Sequence, residues 1–446
     1  MRVSVVGLGK LGSPLAAVLA YEGNTVIGVD VNEEFVAAIN EGRAPVKEPG
    51  LQELIDRNRS RLRATTSFDE AVAGSDVSFV ILPTPSLPNG LFTNEYVLAA
   101  MESIGSALRA KDGYHLVVIT STVVPGSTGG CIRQALERAS QRRLGDTLGL
   151  CYSPEFIALG SVVRDLLNPD FALIGESDAK AGDVLEGIYR GMTANTPVVR
   201  RMNFVNAELT KISVNTFVTT KITYANMVAE LCDHLPGADV DVVTQAIGSD
   251  SRIGQKYLRG ALGYGGPCFP RDNRAFAALA RSAGMSADIA EATDRINDRQ
   301  VDRVIALTTR HVRPRGKVAV LGLSYKPDTM VVEESQGVKI AQALHRLGYD
   351  VVAYDPMADV RSVLATEAAP AASMAECVDG ADAIVISTPW PEFRGLRPAL
   401  CADGQRVVVV DCWRQLDPAA CAGTTDVIHL GFGLPPESIQ MAAADD

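Results

Sequence analysis

Residues 2 to 30 read RVSVVGLGKLGSPLAAVLAYEGNTVIGVD, and this stretch decides the fold of the first part of the chain. An apolar run leads into a glycine turn, a helical pattern follows, and a second apolar run ends at Asp30. A strand, a helix and a strand within so few residues form a βαβ unit, which predicts a parallel sheet. The apolar residues of the helical pattern are Leu11, Leu15, Ala16 and Leu19.

The glycine turn has the spacing GxGxxG, formed by Gly7, Gly9 and Gly12. Gly7 permits the tight turn, Gly9 lets the backbone approach a pyrophosphate, and Gly12 lets the helix pack on the strand. Asp30 would accept hydrogen bonds from ribose hydroxyls and repel a 2′-phosphate, which favours NAD over NADP. The alternative is a tight turn in any α/β protein, and the acid at Asp30 weighs against it.

Three more apolar runs, VSFVIL (77–82), LVVITS (116–121) and FALIG (171–175), alternate with helical patterns. The first 200 residues are therefore predicted to form a doubly wound parallel sheet. From residue 203 the apolar residues keep helical spacing for some thirty residues, with no Gly or Pro inside. This pattern predicts one long helix, which can bridge two sheet domains and pair with a copy of itself. Shorter helical patterns follow at 240–248 and 273–284.

The opening pattern then repeats. GKVAVLGLSYK (316–326), YDVVAYDP (349–356) and GADAIVISTPW (380–390) echo three early segments in the same order. They predict a second nucleotide-binding sheet that keeps its strands but has lost the full glycine fingerprint. The predicted fold class is α/β: two Rossmann-like doubly wound parallel-sheet domains joined by a central all-helical domain with one long helix. The predicted domains are residues 1–200, 201–300 and 301–446.

Composition and length limit the classes of function and partner that are expected. A chain of 446 residues is too long for one ordinary core, and its net charge of -11 argues against a nucleic-acid partner. No apolar run reaches membrane-spanning length and no leader pattern opens the sequence, so a cytoplasmic protein without a membrane partner is expected. Eight scattered cysteines without a CxxC pair predict reduced thiols and no metal site.

A second glycine-rich segment, GALGYGGPCFPRDN (260–273), presents Cys268 among four glycines and two prolines. The common fate of a cysteine is burial as an inert thiol. This one lies in a rigid loop, which suits a nucleophile, and nearby cations or helix-end amides can hold it as a thiolate. Since a nicotinamide cofactor is also predicted, the pair indicates oxidation of an alcohol through an aldehyde and a thioester to a carboxylate.

Other groups suit this chemistry. Lys211 and Asn215 are one helical turn apart and can stabilise an oxyanion, although a solvated helix face is the alternative. Asp272 follows Cys268 by four residues and can act as a general base. Glu155, in SPEF (153–156), follows a predicted strand, and a structural carboxylate is an equally open interpretation there.

Together these residues resemble the UDP-glucose/GDP-mannose dehydrogenase family along nearly the whole chain. The motifs that carry the resemblance are GLGKLG, EPGL, PTP, STVVPG, SPEFIALGS, LLNPD, AELTKISVNTF, SRIGQKYL, GYGGPCFPRD, LGLSYKPDT and TPWPEF. The resemblance implies a four-electron oxidation of a nucleotide-sugar C6 alcohol to a uronic acid with two NAD, UDP-glucose being the expected substrate and a homodimer or higher homo-oligomer the expected assembly. UDP-N-acetylhexosamine, dTDP-sugar and GDP-sugar substrates, a simple two-electron dehydrogenase and an inactive ligand-binding protein are the alternatives.

The resemblance also implies roles for individual positions. The catalytic set is Cys268, Lys211, Asn215, Asp272, Glu155 and Thr122. The cofactor set is Gly7, Leu8, Gly9, Lys10, Leu11, Gly12, Asp30, Thr84, Pro85, Ser121, Thr122 and Cys268. The substrate set is Glu155, Phe156, Lys211, Asn215, Arg252, Arg259, Tyr264, Gly265, Tyr325, Lys326 and Arg414, with Arg252 reaching into a partner subunit. The chain departs from the family pattern at Phe35, Leu159, Pro267 and Glu333.

Overall fold

A computed structural model describes residues 1–397, 406–421 and 425–433. The chain divides into two compact units, Met1–Ser213 and Val214–Asp446, here called the first and the second unit. Among the eight cysteines, Cys401 lies outside the described residues. No helix in the described part is long and apolar enough to cross a membrane. In the same part, no group of three His, Cys, Asp or Glu side chains is placed to hold a metal ion.

The first unit is a sheet covered by helices. Its strands are β1 (Arg2–Val6), β2 (Thr25–Val29), β3 (Leu62–Thr65), β4 (Val77–Val80), β5 (His115–Ile119), β6 (Leu148–Tyr152), β7 (Phe171–Glu176) and β8 (Val198–Met202). Its helices are α1 (Gly12–Tyr21), α2 (Glu33–Asn40), α3 (Leu51–Arg57), α4 (Phe68–Ala73), α5 (Glu95–Leu108), α6 (Arg133–Ser140), α7 (Val162–Leu167) and α8 (Ala179–Met192), with a π-helical turn at Thr128–Ile132.

Within the described residues, this sheet has eight strands in the order β3-β2-β1-β4-β5-β6-β7-β8. Every residue of β4, β5 and β6 is buried, because helices cover both faces of the sheet. The prediction of a doubly wound α/β sheet is confirmed.

One part of the sheet differs from the parallel arrangement predicted for the first 200 residues. Strand β7 runs antiparallel to β6, and β8 then runs parallel to β7. The link from β6 to β7 contains only the six-residue helix α7, which is about 9 Å long. A parallel partner requires a crossover connection, usually a helix packed on the sheet, whereas an antiparallel strand needs no such crossover.

The long helix is α9 (Phe204–Asp233), 30 residues, which confirms the helix predicted from residue 203. The second unit then contains α10 (Val240–Gly248), α11 (Phe269–Ser282), α12 (Asp288–His311), α13 (Gln336–Arg346), α14 (Val360–Val363) and α15 (Met374–Val378). Its strands are β9 (Lys317–Leu321), β10 (Asp350–Tyr354), β11 (Ala369–Pro370), β12 (Ala383–Ile386), β13 (Val407–Asp411) and β14 (Thr425–His429), with 3₁₀ turns at Pro391–Gly395 and Ala419–Cys421.

The second sheet has six strands among the described residues, all parallel, in the order β11-β10-β9-β12-β13-β14. Strands β9, β10 and β12 arise from the three segments that echo the start of the chain, which confirms the predicted second sheet. The predicted domain borders at 200/201 and 300/301 fall inside β8 and α12. The three-domain division stays a prediction.

Helix α11 begins earlier than its sequence pattern indicated. The prediction started this helix at Asn273, because glycine and proline precede that residue, but the first turn already includes Phe269, Pro270 and Asp272. Proline is tolerated in a first turn because the amide hydrogen that it lacks has no partner within the helix. Cys268 therefore stands at the N-cap of a 14-residue helix.

The second crevice keeps a glycine role that the sequence indicated as lost. A Cβ atom at Gly337 would overlap the carbonyl oxygen of Gly322, just as one at Gly12 would overlap the carbonyl oxygen of Gly7. Both pairs place a helix start tightly against a strand end. In the second sheet, however, the segment 323–336 is inserted between the two glycines, and it carries the predicted substrate residues Tyr325 and Lys326. The fingerprint is split by an insertion.

Candidate active site

The cofactor crevice begins at the turn between β1 and α1. Gly7 has a φ of +95°, in the left-handed region, and a Cβ atom there would overlap the carbonyl oxygen of Ile81. Gly12 has the close contact with Gly7 described above. At Gly9, by contrast, a Cβ atom would have no neighbour within 4 Å. The backbone at Gly9 is thus open to an approaching group, and the other two glycines serve packing.

This turn lines a cavity of about 810 Å³ within the first unit. The two charged side chains in its lining are Lys10 and Asp30. Asp30 accepts hydrogen bonds from the backbone amides of Leu8 (2.6 Å) and Asn32 (2.9 Å), which fixes its carboxylate at the end of β2. Each carboxylate oxygen accepts one amide and keeps a lone pair for a further donor. The volume, the open backbone at Gly9 and the acid fit a dinucleotide.

The predicted cofactor residues fall into two groups. Gly7, Gly9, Lys10, Leu11, Gly12, Asp30 and Pro85 line the cavity. The others do not line it: Cys268 belongs to the second unit, the Leu8 side chain is fully buried, and the Thr84 hydroxyl donates to the carbonyl oxygen of Thr122 at 2.7 Å. Ser121 binds the backbone N–H and the carbonyl oxygen of Leu82, both at 2.8 Å. These contacts tie together the ends of β4 and β5.

Sequence reasoning missed one wall of this cavity. Its residues on α5 are Tyr96, Ala99, Ala100 and Ser103. Their spacing of i, i+3, i+4 and i+7 marks one face of a helix, and that signal was available in the sequence. Phe35 and Phe68 also line the cavity. Phe35 stands where the family pattern has a basic residue, so this part of the wall is aromatic and uncharged.

Glu155 is held between two helices of the first unit. The hydroxyl of Tyr189, on α8, lies 3.2 Å from its Oε1, and Lys211 Nζ, on α9, donates to its backbone carbonyl oxygen at 2.6 Å. The same ammonium group lies 4.5 Å from the ring centre of Phe156. Burial raises the pKa of Glu155 to about 7, against the opposing effects of Tyr189 and Lys211. The structure therefore brings three predicted residues, Glu155, Phe156 and Lys211, into one cluster.

Two acids that the sequence did not single out hold the loops of this cluster. Glu208, on α9, is fully buried and accepts the backbone amides of Gly126 (2.5 Å) and Thr128 (2.7 Å). It thereby fixes the loop that starts at Thr122. Glu48, of the EPGL segment, accepts the amides of Gly160 (2.9 Å) and Val162 (2.7 Å), just after the SPEF loop. Each acid satisfies amides that would otherwise lack partners.

Cys268, Asp272 and Asn215 come together in the second unit. The Cys268 side chain is exposed at the start of α11, and helix N-terminal amides favour a negative charge there. Asp272, one turn further along, is 1% exposed, and its Oδ2 accepts a hydrogen bond from Asn215 Nδ2 at 2.6 Å. A nucleophile, a fixed carboxylate and an amide donor thus occupy one region, as an acyl-transfer site needs.

The cysteine loop packs on the inserted segment of the second crevice. A Cβ atom at Gly265 would lie 2.5 Å from the carbonyl oxygen of Glu334, and one at Gly266 would lie 2.7 Å from the Tyr325 ring. The amide of Gly266 donates to the carbonyl oxygen of Glu333 at 2.9 Å. Gly265 and Gly266 are therefore required for this close approach.

Glu334 anchors the inserted segment with a φ of +51°. Its carboxylate is paired with Arg274 of α11 at 2.8 Å and with Lys339 of α13 at 2.6 Å. Burial would raise the pKa of Glu334, but the two cations outweigh it and hold that pKa below its usual range. Through Glu334, the segment is joined to the helix that begins at Cys268.

The predicted substrate arginines of the second unit are differently placed. Arg414 has a φ of +55° and makes two hydrogen bonds of 2.8 Å to Asp241. Arg259 donates to the carbonyl oxygen of Trp413 at 3.0 Å and lies over its ring, and burial lowers the pKa of this guanidinium. The side chain of Arg252 is 86% exposed and pairs with Asp250 at 2.5 Å.

Tyr264, another predicted substrate residue, is buried. Its hydroxyl donates to Asp294 Oδ1 at 2.6 Å, and Asn297 binds both its amide and its carbonyl. Its hydroxyl is directed at α12, so the residue supports the start of the cysteine loop from the inside. Tyr325 and Lys326 are both partly buried.

Three domain profiles of the UDP-glucose/GDP-mannose dehydrogenase family match this chain. They are the NAD binding domain at residues 1–193, the central domain at 205–299 and the UDP binding domain at 319–418. The chain belongs to the UDP-glucose/GDP-mannose dehydrogenase family. Membership makes it an NAD-dependent nucleotide-sugar 6-dehydrogenase, with its NAD binding domain at residues 1–193. It also assigns a nucleotide-sugar-binding domain to the second sheet.

Individual members of the family are similar over most of their length. A UDP-glucose 6-dehydrogenase from Haloferax volcanii is 39% identical and covers 92% of this chain and 97% of its own. A GDP-mannose 6-dehydrogenase from Pseudomonas aeruginosa is 35% identical, with 80% and 81% covered. The solved structure of a UDP-glucose dehydrogenase from the hyperthermophilic archaeon Pyrobaculum islandicum matches with a TM-score of 0.87 at 35% identity, over 97% of this chain and 98% of that one.

Proposed function

We propose that the substrate is UDP-glucose, which is oxidised at C6 to UDP-glucuronate, with Cys268 as the covalent nucleophile. The observation that carries the proposal is the exposed thiol at the N-terminus of α11, one turn before the buried Asp272 that Asn215 holds. The similarity to two UDP-glucose dehydrogenases supports the choice of sugar nucleotide.

The reaction follows from these groups. Bound NAD supplies the acceptor for each hydride. In the first oxidation the C6 alcohol loses a hydride and its hydroxyl proton and becomes an aldehyde. Cys268 Sγ then adds to the carbonyl carbon, and loss of a second hydride from the thiohemiacetal leaves a thioester. Water attacks this carbon, the C–S bond breaks, and the sulfur leaves as the thiolate, so one carboxylate forms for every two hydrides removed.

The remaining predicted residues receive roles in this scheme. Lys211 and Asn215 stabilise the negative charge that develops on the C6 oxygen, and Asp272 accepts protons. Glu155 and Thr122 place the water that hydrolyses the thioester. Glu155 suits proton uptake near neutral pH, because burial raises its pKa to about 7.

Substrate contacts are proposed for the second unit. Tyr325, Lys326, Arg259 and Arg414 would contact the nucleotide portion, and Gly265 would let it approach the cysteine loop. Arg414 and Arg259 are positioned for this by Asp241 and Trp413. Arg252 is exposed enough to reach another subunit. Tyr264 is proposed to act through the backbone of that loop, because its hydroxyl is engaged by Asp294.

A homodimer through α9 is proposed as the assembly. Phe217, Tyr224 and Leu231 are exposed at intervals of seven residues, and Met227 is exposed on the same side of the helix. Large apolar side chains at heptad spacing on one helix suit the same face of a second copy around a two-fold axis.

The nucleophile is tested with Cys268→Ser. This variant should form no UDP-glucuronate in multiple turnovers, because a serine alkoxide is a much poorer leaving group from the acyl carbon than a thiolate is. Acid-quenched wild-type enzyme should retain radiolabelled substrate on the protein, and the variant should not. Cys131→Ser, at another exposed cysteine, is the control and should keep full activity. Steady acid formation by Cys268→Ser would refute the covalent scheme.

A second candidate substrate is GDP-mannose, because Leu159 replaces an acid found in some glucose-specific members and one relative is a GDP-mannose 6-dehydrogenase. A panel of UDP-, dTDP- and GDP-sugars, including N-acetylhexosamines, scored for NADH yield decides between them. The proposal is supported if UDP-glucose yields two NADH per molecule and has the highest kcat/KM of the panel. If another nucleotide sugar has the higher kcat/KM, that sugar is the substrate and UDP-glucose is not.

A further inference from the structure

Three hydrogen-bonding groups lead from Glu155 into the interior of the first unit. Glu155 Oε1 lies 3.2 Å from the Tyr189 hydroxyl, which lies 2.7 Å from the Ser153 hydroxyl, which in turn lies 2.8 Å from the carbonyl oxygen of Leu173. Ser153 is fully buried and Tyr189 is 4% exposed. This hydrogen-bond chain ends at a backbone acceptor on β7, so it offers no route by which a proton could leave.

The number of contacts in this hydrogen-bond chain exceeds the number of protons that its two hydroxyl groups supply. This hydrogen-bond chain contains three contacts, but each hydroxyl supplies only one proton and the carbonyl supplies none. When Glu155 is ionised, Tyr189 donates to it, and the single proton of Ser153 serves either Tyr189 or the Leu173 carbonyl, so one of these two contacts lacks a proton. When Glu155 is protonated, it donates to Tyr189, Tyr189 to Ser153, and Ser153 to Leu173. Only the protonated carboxyl satisfies all three contacts.

We propose that Tyr189 and Ser153 are positioning residues for Glu155: Tyr189 fixes its carboxyl group, and Ser153, acting through Tyr189, favours its protonated form. Proton uptake by Glu155 is then coupled to completion of the hydrogen-bond chain. The inference rests on the proposed role of Glu155 in placing the water that hydrolyses the thioester. In that step the water loses a proton to Glu155, the hydroxide adds to the thioester carbon, the sulfur leaves as a thiolate, and Glu155 later releases the proton to solvent.

The groups around Glu155, Tyr189 and Ser153 are consistent with this function. Lys211 faces Glu155 from α9, and Cys151 of β6 is the other titratable group near Tyr189. Burial raises the pKa of the Cys151 thiol, so that group stays neutral at physiological pH. Burial also raises the pKa of Tyr189 well above its ordinary value, so its hydroxyl keeps the proton that the count requires.

The proton count predicts opposite effects for two conservative substitutions. In Ser153→Ala the protonated state loses two hydrogen bonds and the ionised state only one, so the pKa of Glu155 should fall. In Tyr189→Phe the ionised state loses a charge-assisted hydrogen bond, which is the stronger kind, so that pKa should rise. Each shift should be about half a unit or more, the equivalent of a fraction of one hydrogen bond.

The shifts are measured directly by ¹³C NMR. Protein labelled at the glutamate side-chain carboxyl is titrated with pH, and Glu155→Gln identifies the Glu155 resonance by its disappearance. Thr193→Ala is the control: it removes a hydrogen bond of 2.9 Å to the backbone carbonyl of Tyr189 but leaves the three hydroxyl contacts intact, and it should cause no shift. Shifts of opposite sign for Ser153→Ala and Tyr189→Phe support the proposal, whereas no shift, or shifts of the same sign, overturn it.

Kinetics separate this proposal from the proposed function. The pH profile of kcat is recorded for the same variants with the C6 aldehyde of the substrate, which isolates the second oxidation and the hydrolysis. If the pKa on the acid limb of the kcat profile shifts in the same direction as the Glu155 pKa measured by NMR, both proposals are supported. If the NMR titration moves in opposite directions and the profile stays still, the positioning role stands and the role of Glu155 in hydrolysis is refuted.

Discussion

At the cofactor turn, different single residues serve NAD binding and the stability of the fold. Gly9 and Gly12 belong to the same glycine pattern, but only Gly12 is in close contact with another part of the backbone. A side chain at Gly9 would project into open space beside the cavity, where the pyrophosphate of NAD is expected. The two positions therefore respond differently to the same substitution.

Gly9→Ala should leave the free energy of unfolding within about 0.5 kcal/mol of wild type while weakening NAD binding at least about tenfold. Gly12→Ala should lower the free energy of unfolding by about 1–3 kcal/mol or more, because its methyl group would overlap the Gly7 carbonyl oxygen. Urea unfolding and NAD titration by fluorescence check both values. Equal losses of stability in the two variants would contradict the assigned roles.

Glu155 makes stability depend on pH. Its pKa in the folded protein is about 7, above the value of about 4.3 for an unfolded chain. A group with a raised folded pKa stabilises the fold fully below the unfolded pKa, and that contribution is lost as the pH rises through the folded pKa. Glu155→Gln, which cannot ionise, should therefore gain stability relative to wild type between pH 5 and about pH 8. Urea unfolding at several pH values measures the difference, and a difference that does not change with pH would disprove it.

At the scale of elements, α11 and the inserted segment 323–336 carry the nucleophile loop. The segment contacts Gly265 and Gly266 through its backbone, and Glu334 joins it to α11 and α13. The same helix start that presents Cys268 is thus fixed by an insertion into the second glycine fingerprint. This arrangement explains why the second crevice has a longer turn than the first.

Glu334→Gln should lower the free energy of unfolding by about 1–3 kcal/mol and change the rate at which iodoacetamide alkylates Cys268. The reason is that Arg274 and Lys339 would lose the charge that they share. Since the cations lower the pKa of Glu334, this contribution is present above the ordinary carboxyl pKa and is lost as the pH falls through the lowered value. The matched control is Glu333→Gln, at the exposed neighbour, which should match wild type in both measurements. Equal effects at the two positions would contradict the role of Glu334.

At the scale of the whole molecule, the chain contains two sheets of related topology, one before α9 in the sequence and one after it. The first sheet carries the cofactor turn, and the second carries a domain that matches the UDP binding domain of the family. The two copies of the repeated pattern therefore bind different ligands: the first binds the cofactor, and the second binds the nucleotide sugar. The exposed apolar residues of α9 add the expectation of a second subunit.

Replacing both Phe217 and Leu231 by Glu should convert the protein to a monomer, because two charges would enter the centre of the proposed apolar contact. Light scattering after size-exclusion chromatography measures the mass. Met285→Glu, at a residue that is 66% exposed but lies outside α9, is the control and should keep the wild-type mass. An unchanged mass for the double variant would refute the proposed dimer surface.

The sequence by itself determined what depends on neighbouring residues: the βαβ start, the glycine turn with Asp30, the repeat, and the long helix free of Gly and Pro. These features follow from local backbone rules and from the period of apolar residues. The predicted start of helix α11 was wrong because the local rule against proline does not apply in a first turn.

Only the tertiary structure decided which distant residues meet. Tyr189 is 34 residues from Glu155, Asp272 is 57 from Asn215, and Arg414 is 173 from Asp241. The reversal of β7, the pairing of Gly337 with Gly322, and the loop contacts of Glu208 and Glu48 belong to the same class. No local pattern encodes them, because each depends on how the chain returns to itself and on which buried polar groups then need a partner.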